Sequence, residues 1–156
     1  MIRRESGHRK PGKSVMFGVT RDMILYFAQE QSWTERAKTV ERAATLYVDG
    51  ALDGEGRAAA LDLFRLALYD GEPLVRRILA ESIKHARELP RDIVRTLARD
   101  TPEVSAPFLS ASPLIADDDL LAIAQDGASV QRAAIARRLS LPSRVARVLF
   151  GRPAVA

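Results

Sequence analysis

The stretch Leu66-Ala67-Leu68-Tyr69-Asp70-Gly71-Glu72-Pro73-Leu74-Val75-Arg76 decides the fold, because its pattern returns twice further along the chain. Asp70, Asp100 and Asp126 each end an apolar helical segment, and each is followed four or five residues on by a valine: Val75, Val104 and Val130. The segments before the aspartates also align, as Leu66-Ala67, Leu97-Ala98 and Ile123-Ala124. The aspartates stand 30 and then 26 residues apart, a spacing that belongs to stacked helix pairs. Each pair has one apolar face that it cannot bury alone, so stacking has to supply the core.

The flanking sequence is helical in both directions. Asp53 starts a helix with Ala60, Leu63, Phe64, Ala67 and Leu68 on one face, and Leu61 and Leu66 widen that face, predicting burial on most sides. Ser32 is placed to cap a helix carrying Ala37, Val40, Ala44 and Tyr47, which stops at Asp49-Gly50. Residues 21–31 read as a short first helix. Downstream, Val75, Ile78, Leu79, Ile83 and Ala86 form one face, and Pro90 opens a helix with Ile93, Val94, Leu97 and Ala98 inward. Thr101-Pro102-Glu103 reads as cap, first-turn proline and first-turn acid ahead of Val104, Phe108 and Leu109, with Pro107 shortening or bending that helix. Further helices begin at Asp117–Asp119, at Ser129 (with Val130, Ala133, Ala134 and Leu139) and after Pro142-Ser143. No stretch alternates like a strand. The expectation is an all-α solenoid of about eight or nine helices in antiparallel pairs over residues 19–150, with no sheet. A flexible basic arm (1–18) precedes it and a short tail (151–156) follows.

Charge is unevenly placed. Residues 1–13 carry Arg3, Arg4, Arg9, Lys10 and Lys13 against Glu5; residues 14–99 balance; residues 100–126 hold six acids and no base; residues 127–156 hold six arginines and no acid. The net +4 therefore equals the arm's surplus, and the body is neutral but polarised. The absence of cysteine excludes disulfides, thiolate metal sites and a cysteine nucleophile. No apolar run approaches the roughly 18 residues of a membrane span, and the N-terminus lacks the apolar core of a secretory signal. A cytoplasmic protein with no membrane partner is the expectation.

Asp70 followed by Val75-Arg76 resembles the turn and second helix of HEAT repeats. The resemblance implies that the aspartate caps the second helix and that its carboxylate forms a ladder with arginines of stacked repeats. Ser105 and Gln131 follow the later valines, so the ladder arginine is present once, at Arg76. Residues 32–150 are also similar to a bacterial HEAT-like family of unknown function. The stretches that carry the likeness are Glu35-Arg36, residues 46–50, residues 89–94 and residues 133–138. That resemblance implies an architecture and no activity. Members of that family look longer, and this chain ends one helix into a further pair, which points to self-association through an uncapped C-terminal end.

Four features invite chemistry. Gly7-His8-Arg9-Lys10-Pro11-Gly12-Lys13-Ser14 fits the phosphate-binding G-x-x-x-x-G-K-S pattern, but that loop needs an apolar strand before it and a parallel sheet around it. Only six residues precede Gly7, so the match is a coincidence within a basic tail. Asp117-Asp118-Asp119 could ligate a hard cation, yet acids at a helix start are what its dipole favours. His85 and Glu81 stand four residues apart, an ordinary exposed helical pair with no nucleophile converging on it. Arg137 falls between Val130, Ala133 and Ala134 on the apolar stripe, where a buried guanidinium needs a carboxylate or several carbonyls; this predicts an internal clamp on Asp126 or on the acidic start at 117–119, with a site for a ligand anion as the alternative.

No catalytic residue, metal ligand or cofactor emerges. The leading expectation is a non-enzymatic scaffold that binds a protein or peptide in a groove built from the second helices of each pair. Arg77, Glu81 and Lys84 would line it, with Arg132 and Arg138 toward the C-terminal end; Asp70, Arg76, Asp100, Asp126 and Arg137 would build the turns and ladder. The alternative is weak nucleic-acid binding by the arm and the C-terminal arginines. A HEAT-like base-excision glycosylase ranks third, because the single tryptophan, Trp33, lies far from the arginine-rich end. Magnesium nucleotide is expected to give no saturable heat in titration calorimetry; micromolar binding abolished by Lys13→Ala would overturn that.

Overall fold

Most helix starts lie where a backbone N–H is missing or taken by a short side chain. In the computed structural model, which describes residues 18–151, nine helices follow one another. They are α1 (Arg21–Gln29), α2 (Trp33–Val48), α3 (Gly54–Ala67), α4 (Pro73–Ile83), α5 (Arg91–Ala98), α6 (Pro102–Ala111), α7 (Asp117–Asp126), α8 (Ser129–Ala136) and α9 (Ser143–Phe150). Ser32 Oγ accepts the Glu35 N–H at 3.5 Å, and Asp53 Oδ1 accepts the Gly56 N–H at 2.7 Å. Pro73 and Pro102 occupy the first turn of α4 and α6, while Pro90 and Pro142 stand just before α5 and α9. In either place the absent N–H removes no ladder bond. Gly50 closes α2 at φ 71°, a left-handed conformation that glycine adopts without strain. Among the described residues none is in a strand, and no helix is long and apolar enough to cross a membrane. The Gly7–Ser14 motif and nearly all of the basic arm lie outside the described residues.

The even-numbered helices lie side by side in chain order, α2 against α4, α4 against α6 and α6 against α8. Val40, Ala44, Val75, Leu79, Ile83, Phe108, Leu109, Ala134 and Ile135 are buried in this packing. Between odd-numbered helices, α1 packs on α3 and α7 on α9, and ion pairs tie the rest together. Arg65 of α3 grips Asp92 of α5 with two bonds of 2.8 and 3.2 Å. Arg99, the C-cap of α5, reaches Asp119 of α7 at 2.8 Å, with Arg95 at 3.6 Å, and Arg144 of α9 lies 3.7 Å from Asp118.

Several expectations need correction. Leu66 is exposed, so α3 is buried on one side only, with Arg65 and Asp62 on its outer surface. The α4 helix ends at Ile83, so His85 lies in the following turn and Glu81 bonds Lys84 instead, at 2.9 Å. The apolar stripe of α8 was phased one residue early. Gln131, Ala134 and Ile135 are its buried residues, whereas Val130, Ala133 and Leu139 are exposed.

The α7–α8 turn is the tightest of the connections. A Cβ on Gly127 would collide with the Ile123 carbonyl oxygen and stand 2.9 Å from the Ile123 side chain. At Gly71, in the α3–α4 turn, a Cβ would meet open space. Gly127→Ala is therefore expected to lower stability by about 1–3 kcal/mol, the usual penalty of overpacking. Gly71→Ala should stay within about 0.5 kcal/mol of wild type, as an open surface site does. Urea unfolding midpoints check both; equal shifts would show that the α7–α8 turn is not so constrained.

Candidate functional site

Arginines at matching places on α2 and α4 organise the ends of the even-numbered helices. Arg36 donates Nε and Nη2 to the two carboxylate oxygens of Asp70, at 2.7 and 3.0 Å, and Nη1 to the carbonyls of Glu30 and Gln31. Arg76 repeats the arrangement one unit on. Its Nε and Nη2 reach Asp100 at 2.9 and 3.1 Å, and its Nη1 donates to the Asp70 carbonyl at 2.7 Å. The sequence reading secured one such arginine; the structure has two, because Arg36 reaches an aspartate 34 residues away. The aspartates also brace their own turns, Asp70 accepting the Glu72 N–H and Asp100 the Thr101 N–H. Glu72 and Thr101, rather than the aspartates, are the N-cap residues.

The third junction uses a neutral device. Gln131 donates Nε2 to Ser105 Oγ at 3.0 Å and to the Asp100 carbonyl at 3.2 Å, and its Oε1 accepts the Ala128 N–H at 3.0 Å. Asp126 has no role in it: it is the last residue of α7, exposed, and no side chain among the described residues bonds to it. Its expected place in the ladder is thus corrected. Arg137 is corrected too. It is exposed, and the clamp is Arg138, which donates Nη1 to the Leu109 carbonyl at 2.7 Å and Nη2 to the Ser112 carbonyl at 2.8 Å. These carbonyls sit at the C-terminal end of α6, where a cation is favoured. Burial lowers the Arg138 pKa against the opposing charge of Asp117. Arg138 is therefore a half-buried structural residue, not a groove wall.

A hollow of about 380 Å³ lies across α4, α6 and α8. Its floor is α6, where Ala106, Pro107 and Ser110 present short side chains. One wall is Arg77, Glu81 and Lys84; the other is α8, with Val130, Ala133, Ala134 and Arg137. Three of the five expected groove residues are brought together here, and Arg132 is not among the lining. Lys84 neutralises Glu81 at 2.9 Å. Arg77 and Arg137 have no hydrogen-bond or ion-pair partner among the described residues. Arg137, expected as a clamp with a ligand-anion site as the alternative, lines the groove instead of the core.

Other candidates are spoken for. A larger hollow of about 630 Å³ holds His85, but its Arg57 stacks on the Tyr47 ring at 4.5 Å and lies 3.5 Å from Glu88. The acidic start of α7 is engaged by arginines: Asp119 is buried between Arg95 and Arg99, and Asp118 faces Arg144. Of the acidic block, Asp118 faces Arg144 of the arginine-rich block, while Asp100 and Asp119 pair with upstream arginines, and Arg132, Arg137 and Arg147 have no partner among the described residues.

A family described as an uncharacterised protein conserved in bacteria (DUF2336) matches residues 104–156, about a third of the chain. The span takes in most of α6 and all of α7, α8 and α9, but not the Arg77 wall. No curated protein and no solved structure matches this chain.

The ladder has a testable acid limb. Burial alone would raise the Asp70 pKa, but the Arg36 fork, the Glu72 N–H and the nearby Arg76 charge outweigh it and hold the carboxyl below its usual range. A folded pKa below the unfolded value of about 3.9 adds stability above that value, which is lost as pH falls through the folded pKa. The stability gap between wild type and Asp70→Asn should be full at neutral pH and close below about pH 4. A gap that does not change with pH in urea titrations would show that the ion pair does not form.

Proposed function

We propose that the chain is a HEAT-like solenoid serving in the cytoplasm as a non-enzymatic scaffold, holding a protein or peptide segment in the α4–α6–α8 groove. The observation that carries this reading is the groove itself. A floor of short side chains on α6 lies between longer side chains on its neighbours α4 and α8. Side-by-side packing of the even-numbered helices and the Arg36–Asp70 and Arg76–Asp100 bonds support the repeat architecture. The volume is at the low end of the roughly 300–1,000 Å³ of ligand pockets, which suits a few side chains of an extended partner rather than an enclosed substrate.

One observation favours nucleic acid instead: Arg132, Arg137 and Arg147 have no ion-pair partner among the described residues. Arg132 and Arg137 stand five positions apart, about 140° around a helix, so they do not form one stripe for a phosphate backbone. A photo-crosslinking amino acid at Ala133, in the groove, compared with one at Asp62 on α3, separates the readings in lysate of the source organism. Nuclease-resistant protein adducts from position 133 alone are the expected result. Adducts lost on nuclease treatment would favour nucleic acid, and equal adducts from both positions would remove the groove from the proposal.

A further inference from the structure

The groove has a charge that the fold does not use. Arg36, Arg65, Arg76, Arg99 and Arg138 each have a carboxylate or carbonyl within 3.0 Å. Arg77 and Arg137 have none among the described residues, and they stand on opposite walls of the same hollow. The one acid in the lining, Glu81, is already bonded to Lys84. Between the walls the floor offers Pro107 and Ala106, and Val130 is an exposed apolar residue at the rim. Arginine forks match carboxylates with two parallel bonds, and such charge-assisted bonds are the strong ones.

Resting on the scaffold reading, we propose that the occupant of this groove is an acidic peptide segment with two carboxylates flanking small apolar side chains. One carboxylate pairs with Arg77 and the other with Arg137, while the apolar residues between them cover Pro107 and Val130. A basic segment is repelled by both walls, and a neutral one leaves both guanidiniums without a partner. Arg132 lies outside the lining and takes no part.

A displayed library of random short peptides, selected on the full chain, tests this. The recovered peptides are expected to be enriched in paired Asp or Glu. Fluorescence polarisation of one labelled winner should show affinity falling roughly tenfold in Arg77→Gln and in Arg137→Gln, the scale of one lost charged hydrogen bond. Arg132→Gln should bind as wild type does. Both wall residues are exposed and structurally unpaired, so the variants are expected to keep the wild-type urea midpoint. Failure to recover any peptide, recovery without acidic enrichment, or an equal loss in Arg132→Gln would overturn the proposal. So would a labelled single-stranded DNA that displaces the winner and depends on Arg77 and Arg137. Neutral winners that still crosslink at position 133 would remove the acidic occupant and leave the scaffold standing; absence of protein adducts at 133 would remove the scaffold itself.

Discussion

A guanidinium carries its donors in one rigid plane, and that plane sets the spacing of the even-numbered helices. Arg36 spans the end of α1, the start of α2 and the turn before α4 with four hydrogen bonds. Arg76 joins the turns before α4 and α6 with three. A lysine could not do this, because an ammonium has no fork to match two carboxylate oxygens and still reach a carbonyl. Each aspartate spends its remaining capacity on a backbone N–H of its own turn, so the turn and the junction form together. Losing either partner leaves a largely buried charge without its complement, which costs far more than the pair contributes on its own.

The outer helices are held by a different balance. Arg65–Asp92 joins α3 to α5, Arg99–Asp119 joins the end of α5 to α7, and Arg144–Asp118 adds to the packing of α9 on α7, all with at least one exposed partner. Pairs of that kind contribute about 0–1 kcal/mol each and weaken with salt. Buried apolar side chains from both sets, such as Leu63, Phe64, Ile93 and Leu97 with Val75, Leu79, Phe108 and Ile135, therefore supply most of the stability.

Much of this was legible in the sequence, and the errors share a cause. Helix number, the Ser32 and Asp53 caps and the α4–α6 positions of Asp70 and Asp100 follow from local spacing, which short-range sterics and hydrogen bonds enforce. The rung of Arg36 is hidden in the sequence, because its partner lies 34 residues on while that of Arg76 lies 24 on. A ladder read as one fixed spacing hides unequal loops. The α8 phase failed for the opposite reason. Both 130/133/134/137 and 131/134/135/138 have helical spacing, and polarity chooses the set with Val130. The structure buries Gln131 because Ser105, Asp100 and Ala128 satisfy every polar atom of its amide. Partners brought from the turn and first turn of α6 are invisible to a periodicity, and Arg138 with its two carbonyls followed from the same one-residue slip.

The neutral Ser105–Gln131 junction gives the chain an address system. Two junctions are written in charge and the third in amide and hydroxyl, and the two alphabets do not mate. Tandem helix pairs commonly misassemble by exchanging similar neighbours. Here α8 meets α6 through an amide and a hydroxyl, whereas α2 and α4 reach the turns before α4 and α6 through charge, so neighbouring seams differ in chemistry.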